Sequence, residues 1–268
     1  MLSFISPSAD IFFNLAMEEY LLKEMTSDFM LLWQSRPCIV VGKHQNTLAE
    51  INQAFVEEKG IPVARRLSGG GTVYHGRGNL NFTFIRNGKP GKLVNFRYFV
   101  TPVVNYLKTL GVIATIGEKN ELLVDGLKIS GNAEHVYKQR VLHHGTLLFD
   151  VDLEELNKSI EAGQKKYFDK AVQSNRAVVT NISNYLGKKI TVEEFMTELF
   201  RFVTDTHPEV TAYSLTKADK EHIIKLRDEK YATEKWIYGY SPDFEVIGDF
   251  LHEGDNCRIH CRIRRSVV

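Results

Sequence analysis

The densest cluster of chemistry-bearing residues runs from Arg65 to Thr83, RRLSGGGTVYHGRGNLNFT. Three consecutive glycines, Gly69 to Gly71, let the backbone pass close to a ligand and turn successive N–H groups into one concavity, the kind of nest that holds phosphate. Arg65 and Arg66 put guanidinium forks beside it, suited to bidentate contacts with phosphate or carboxylate. The familiar nucleotide signatures do not fit, because there is no GxxxxGK[ST] and Gly69, Gly71, Gly76 and Gly78 are not spaced as GxGxxG. A glycine triplet alone often only turns a corner. The flanking Arg, Ser, His and Asn residues favour a ligand loop.

Lys128 stands in LKISGNA, just past Asp125-Gly126. Asp-Gly supplies the two positive-φ positions of a type I′ turn, so the spacing predicts a hairpin that holds Lys128 on rigid backbone. An ammonium fixed there can stabilise charge growing on a phosphoryl or carboxylate oxygen, although a lone strand lysine is more often simply solvated. His143 and His144 enter another strand, where neighbours point to opposite faces and one imidazole is directed inward. No zinc is expected: HExxH and paired CxxC motifs are absent, and Cys257-x-x-His260-Cys261 has no fourth ligand nearby. Cys38, inside the apolar run Pro37 to Val41, is expected to pack rather than react.

The elements that position these groups are legible in part. Ile11, Leu15, Leu22 and Met25 mark a helix over 11–25, with Glu18 in the middle of its apolar stripe and Glu19 on another face. A carboxylate on an apolar face is costly unless something bonds to it. Met30 to Trp33 and Cys38 to Val41 read as two strands joined by a turn, and Asn46 as the cap of a helix through about Lys59 with Ile51 and Phe55 inside. Leu80, Phe82 and Phe84 alternate with Asn81 and Thr83, which predicts a strand with one buried and one polar face. Further helices are expected over 94–110, stopped by Gly111, over 153–160, from the capping box at Thr191 to Glu194 through about Asp205, and over 218–230 as a charged surface helix. Residues 141–151 read as a strand. The texture changes after Trp236.

The chain has 268 residues with 34 Lys+Arg against 33 Asp+Glu, a net charge of +1. That balance argues against a general nucleic-acid binder and makes any anion site local. Three cysteines are too few for a disulfide framework and suit a reducing cytosol, no apolar run has the length of a membrane span, and the N-terminus does not read as a signal peptide.

NLAMEEYLL, VVGKHQN, RRLSGGGTVYHGRGNLNFTF, KISGNA and HHGTLLFDVDLEEL, with VVTNI at 178–182, occur in this order across roughly residues 10–185. Together they resemble the lipoate–protein ligase A family, of the superfamily that also holds biotin protein ligases and octanoyltransferases. The resemblance implies a mixed α/β domain around a twisted sheet. It implies an enzyme that activates lipoate with ATP as lipoyl-adenylate and passes the acyl group to a lysine of an apo lipoyl domain in a 2-oxoacid dehydrogenase E2 subunit, or of the glycine cleavage H protein. A cytoplasmic monomer is expected.

Residue by residue, the resemblance places Arg66, Ser68, Gly70 and Gly71 on the loop at the adenylate and lipoate carboxyl, with His75 and Asn79 beyond it. Lys128 matches the lysine that contacts both the α-phosphate and the acyl carboxylate, and Ala133 and His144 line the same pocket. Glu18 and Trp33 fall beside the lipoyl group and adenylate, and an apolar slot for the dithiolane tail is expected from residues such as Trp33 and Val41. Asn120 and Glu121 match an Asn-Asp pair near the nucleotide and its Mg²⁺, with Glu in place of Asp. Gly76-Arg77 stands where the family commonly has Asp. Val178 replaces a common arginine, with Lys165, Lys166 and Arg176 able to charge a covering loop. Residues 1–235 are read as the catalytic domain. WIYGYSPDF at 236–244 resembles the junction to an accessory domain, so 236–268 is read as a short appendage, and a separate accessory protein is one expectation. The alternatives are a transferase using preformed lipoyl-AMP or an acyl carrier, and a non-enzymatic lipoate or nucleotide binder. Relatives with a cysteine nucleophile fit less well, as does a biotin ligase.

Overall fold

Asp10 opens the first helix by accepting from the Phe12 N–H, and the apolar stripe that follows packs inward. In the computed structural model, which describes residues 1–89, 91–160, 166–174, 177–207, 209–252 and 255–264, the chain then runs as follows. Strand β1 (Leu2–Ile5) leads to α1 (Ile11–Lys23), β2 (Phe29–Trp33), β3 (Cys38–Val41), α2 (Thr47–Glu50), α3 (Gln53–Lys59), β4 (Val63–Arg65), β5 (Val73–His75) and β6 (Asn79–Asn87). Next come α4 (Phe96–Thr109), β7 (Thr115–Ile116), β8 (Leu122–Val124), β9 (Leu127–Ser130), β10 (Asn132–Tyr137), β11 (Arg140–Leu148), α5 (Leu153–Ile160) and β12 (Lys166–Asp169). The rest is α6 (Val192–Thr206), β13 (Thr211–Ala212), α7 (Lys217–Leu226), α8 (Glu234–Ile237), β14 (Phe244–His252) and β15 (Asp255–Ile263).

The main sheet has the order β10-β11-β6-β2-β1-β13, antiparallel from β10 to β2 and parallel from β2 to β13. It is covered on both faces, because Met30, Leu32, Phe82 and Phe84 share a core with residues of α4 and α6 while Phe29, Leu31, Trp33 and Ile85 share another with α1. The expected mixed α/β class is present. A second sheet, β4-β3-β5, stands beside it and carries the glycine loop between β4 and β5.

The hairpin around Asp125 (φ 51) and Gly126 (φ 78) forms as the turn chemistry predicts. So do the capping box at Thr191 and Glu194 and the positive-φ Gly111. The two strands expected at Met30 to Trp33 and Cys38 to Val41 also form, as β2 and β3 in different sheets, while two expectations are corrected. The helix expected from Asn46 to Lys59 is broken at the extended Ile51, and Asn52, not Asn46, accepts the capping bond, from Phe55 N–H. The charged surface helix expected over 218–230 forms as α7 and a π-helix at Arg227–Tyr231, mostly exposed but with Ile223 and Tyr231 buried beneath it. The polar face of β6 is buried too, with Asn81 1% and Thr83 0% exposed.

Strand β12 pairs with β14, and β14 with β15, in a third sheet. The segment before it is tied to β4, since Arg65 donates to the carbonyls of Trp236 and Ile237 and the Trp236 indole donates back to the Arg65 carbonyl. Among the described residues no helix is long and apolar enough to cross a membrane.

Candidate active site

Strand alternation decides which groups reach the cavity between the main sheet and the β4-β3-β5 sheet. Arg65 and Arg66 are neighbours, so their side chains leave β4 in opposite directions. Arg65 is completely buried and donates to the carbonyls of Gly42, Lys43, Gln45 and Ile237 and to the hydroxyls of Thr47 and Ser241. It fastens loops and takes no part in the cavity, which corrects the expectation of two guanidinium forks beside the glycines. Arg66 does line the cavity. Its Nη2 donates to the carbonyls of Gly69 and Gly71, Nη1 to Val40 and Nε to Ser68 Oγ. Among the described residues three of its five N–H groups therefore hold the glycine loop, a fourth ties it to β3, and one on Nη1 is left for a ligand. Burial lowers its basicity to about 10 against the pull of Glu18, so it stays a cation at neutral pH.

The glycine loop is packed at backbone distance. A Cβ on Gly42 would sit 2.1 Å from the Gly70 carbonyl oxygen, and Gly70 itself has φ 86. Thr72 N–H donates to Ser174 Oγ, which brings the segment before residue 175 across the loop.

Glu18 finds the partners that its place on an apolar stripe requires. Its carboxylate accepts from Thr83 Oγ1 at 2.5 Å and from His144 Nδ1 at 2.9 Å, and Trp33 Nε1 donates to Thr83 Oγ1 at 3.0 Å. A carboxylate only accepts, so the His144 proton sits on Nδ1 and Nε2 accepts from Ser68 Oγ, 2.6 Å away. The donors then run in one sense from Arg66 through Ser68 and His144 to Glu18. His143 faces the other way, stacked against Phe82 and Phe99 and 3.0 Å from Glu134. The paired histidines divide as alternation predicts.

The cavity, about 290 Å³, has Leu15, Trp33, Val40 and His75 toward one end, and Lys128, Glu121, Asn132 and Ala133 among its polar wall. Val40 faces it, while Val41 packs with Ile39, Ile51 and Val63 in a separate core, correcting the residue expected in the slot by one position. His75 is 3% exposed, edge-on to Trp33 at 5.6 Å, and accepts or donates at Ser35 Oγ. Burial, with Arg66 and His144 nearby, pushes it down to about 3, so it is neutral. A second cavity of similar size adjoins the first and shares Thr72, Val73, Lys128, Gly131, Thr146, Ser174 and Ala177 with it.

Lys128 stands at that junction. Its N–H donates to the Val178 carbonyl and its own carbonyl accepts from Thr180 N–H, so the VVTNI segment is zipped along β9. Burial lowers its basicity, with Glu121 opposing and Arg66 and Lys119 adding to the effect. A cation held at a cost in solvation is poised to gain from an anion.

Of the residues expected at the site, Trp33, Arg66, Gly70, Gly71, His75, Glu121, Lys128, Ala133 and His144 border the first cavity. Glu18 and Ser68 stand behind His144, and Asn79 behind Asn81, to which its amide donates at 3.1 Å. Asn120, at φ 63, meets Asn132 through its carbonyl. Sequence reasoning missed Asn81, Thr83, Asn132, Thr146 and Ser174. The signal for the first two was the Asn-x-Thr alternation in NLNFTF, read only as a polar face. Lys165, Arg176 and the Lys166 side chain lie outside the described residues. Cys257 and Cys261 are four apart on β15 and share a face that His260 does not, and His260 Nε2 is 3.0 Å from Glu245.

A chain with this arrangement has relatives. The model of the lipoyl protein ligase A/B catalytic domain matches residues 10–204. The chain is 39% identical over 259 residues to lipoate–protein ligase LplJ of Bacillus subtilis, covering 95% of this chain and 78% of that protein. It is 40% identical over 257 residues to lipoate–protein ligase 1 of Staphylococcus aureus, with 95% and 78% covered. Among solved structures, LipL1 of P. falciparum in complex with lipoate matches at TM-score 0.75 and 25% identity, over 97% of this chain and 84% of that one. A putative lipoate protein ligase of T. acidophilum with bound lipoic acid shares the fold at TM-score 0.74 and 24% identity, over 88% and 98%. The chain belongs to the lipoyl protein ligase A/B catalytic domain family.

Proposed function

We propose that the chain activates lipoate with ATP and transfers the lipoyl group to a lysine of an apo lipoyl domain. The observation that carries this reading is the position of Lys128 at the junction of two adjoining cavities. One cavity ends in apolar Leu15, Trp33 and Val40, suited to an acyl tail, and the other takes the nucleotide. Their reacting groups, a carboxylate and an α-phosphate, then meet at the ammonium.

In the first step a carboxylate oxygen bonds to the α-phosphorus, the bond to the bridging oxygen breaks, and pyrophosphate leaves. Two anions must approach, and Lys128, the free Arg66 N–H and the Gly70–Gly71 amides offset their repulsion. Glu121 fits a cation beside the phosphates, because its Oε2 is buried without a partner among the described residues. Bound Mg²⁺ would add charge neutralisation there. In the second step the acceptor amine bonds to the acyl carbon, the carbon–oxygen bond to phosphate breaks, AMP leaves with the electron pair, and the amine's surplus protons pass to water. Neither step needs an enzyme nucleophile. That suits Cys38, whose thiol burial pushes up to about 12.

Intact-mass measurement of an apo lipoyl domain tests the reading, with lipoate plus ATP, lipoyl-AMP and an octanoyl carrier protein supplied separately. Modification with lipoate and ATP is expected. Modification by the carrier protein alone would replace it with a transferase. Lys128→Ala should slow adenylation about 10²–10³-fold, the effect of removing one transition-state donor, and an unchanged rate removes Lys128 from its role.

A further inference from the structure

Helix α1 connects the cavity to the outside by regular steps. Leu15 borders the cavity, Glu19 is one turn on and Lys23 one turn further, all on one face. Around Glu19 the surface gathers ammonium groups. Lys23 and Lys230 each reach its carboxylate at 2.6 Å. Lys23 also lies 5.2 Å from the centre of the Tyr137 ring, and Lys138 lies 5.1 Å from the same ring. Lys43 is near enough for its charge to lower the basicity of both His135 and Lys230, after burial. Four cations gather where two of them share one carboxylate, on a chain whose whole net charge is +1.

This patch is continuous with the site. His135 is two residues from Ala133 on β10 and shares its face, and Ala133 borders the cavity. Lys43 N–H donates to the Ser68 carbonyl at the base of the glycine loop. Small substrates enclosed by the cavity have no need of charges this far out, but a macromolecule delivering its lysine into the cavity must rest on this rim.

We infer that Lys23, Lys43, Lys138 and Lys230 form a docking rim for a protein acceptor that carries carboxylates beside its target lysine. The inference rests on the ligase reading and adds the chemistry by which the acceptor is chosen. Rim charges of this kind act mainly on encounter and are screened by salt. Lys23 and Lys230 also neutralise the buried Glu19, so the test uses Lys43 and Lys138, whose ammonium groups have no hydrogen bond or ion pair among the described residues.

In the full chain, Lys43→Glu with Lys138→Glu is expected to raise the acceptor KM about tenfold in low salt, with kcat nearly unchanged. Lipoate-dependent ATP–pyrophosphate exchange should equal that of the parent, and the parent's salt dependence of acceptor KM should flatten in the variant. Replacing carboxylates next to the acceptor lysine by Lys should restore the variant's KM. An unchanged acceptor KM with intact exchange overturns the rim and leaves the ligase reading standing. Exchange falling in parallel with transfer assigns these lysines to the site or the fold. Competition by short RNA as strong as by the acceptor overturns the choice of a protein partner. A parent chain that neither exchanges pyrophosphate nor transfers from lipoyl-AMP defeats the ligase reading itself.

Discussion

Two pairs of sequence neighbours divide this molecule into an inner and an outer region. Glu18 and Arg66 join, through His144 and Ser68, a network of groups at the cavity wall. Glu19 and Arg65, one residue away in each case, fasten later parts of the chain to the outside of the same elements. Glu19 takes bonds from Lys23, Lys230 and Tyr231, which outweigh the effect of burial and hold its carboxyl below the ordinary value. Arg65 ties the 42–47 loop to residues 236–241. All four groups are buried, so burial does not tell a binding residue from a fastening one. What distinguishes them is where the unused hydrogen-bonding capacity points. Arg66 keeps an N–H facing the cavity, whereas Arg65 is consumed by main-chain carbonyls.

The arginine pair offers the largest separation of effects. Arg65→Met strips donors from several buried carbonyls and should lower unfolding free energy by about 3 kcal/mol or more, while specific activity of the folded fraction is retained. Arg66→Met should instead cost about 10²-fold in adenylation through a slackened glycine loop and a lost donor, with a smaller shift in the denaturation midpoint. Denaturant titration and pyrophosphate exchange on both variants decide it. Equal losses of stability and rate in the two would dissolve the division.

The carboxylates should separate less widely. Glu18→Gln keeps the shape but leaves Arg66 without its counter-charge, and about a tenfold loss in kcat/KM for lipoate is expected, near 1.4 kcal/mol. Glu19→Gln should reduce stability by about 1–3 kcal/mol and leave the lipoate kinetics alone. A kinetic defect in Glu19→Gln would place it in the inner region after all.

This division also measures what the sequence made legible. The glycine loop, Lys128 past its Asp-Gly turn and the opposite facing of His143 and His144 follow from local rules, and the structure has them so. Arg65 was misplaced because the composition of a motif does not say which of two neighbours faces the ligand. That depends on strand register, and a shift of one residue exchanges them. The same one-residue error put Val41 in the slot where Val40 stands. Asn81 and Thr83 were read only as a polar face, because alternation does not report what covers it. Here α1 covers it, and Glu18 is the group that makes a polar face acceptable in a buried place. Residues 218–230 form the charged surface helix that their composition predicts, but the burial of Ile223 within it and of Tyr231 just after it depends on α1, a partner some 200 positions earlier.

The last separation concerns protonation of the inner region. His75 has its folded value pushed down to about 3, first by burial, against about 6.5 for a free imidazole. Between those values the unfolded chain binds a proton that the folded chain does not, so stability is fully present above about pH 6.5 and falls as the solution is acidified toward pH 3. Lipoate cannot reverse this by pairing with a charged His75, because the imidazole faces the apolar end and is already beside the cationic Arg66. Melting temperatures from pH 7 down to pH 4 should therefore drop, and the slope should be shallower in His75→Asn even where that variant is less stable at pH 7. Comparing slopes separates protonation from lost packing against Trp33. Parallel slopes in parent and variant would mean that His75 takes up its proton within the folded cavity, and the acyl end would then be an anion site rather than an apolar one.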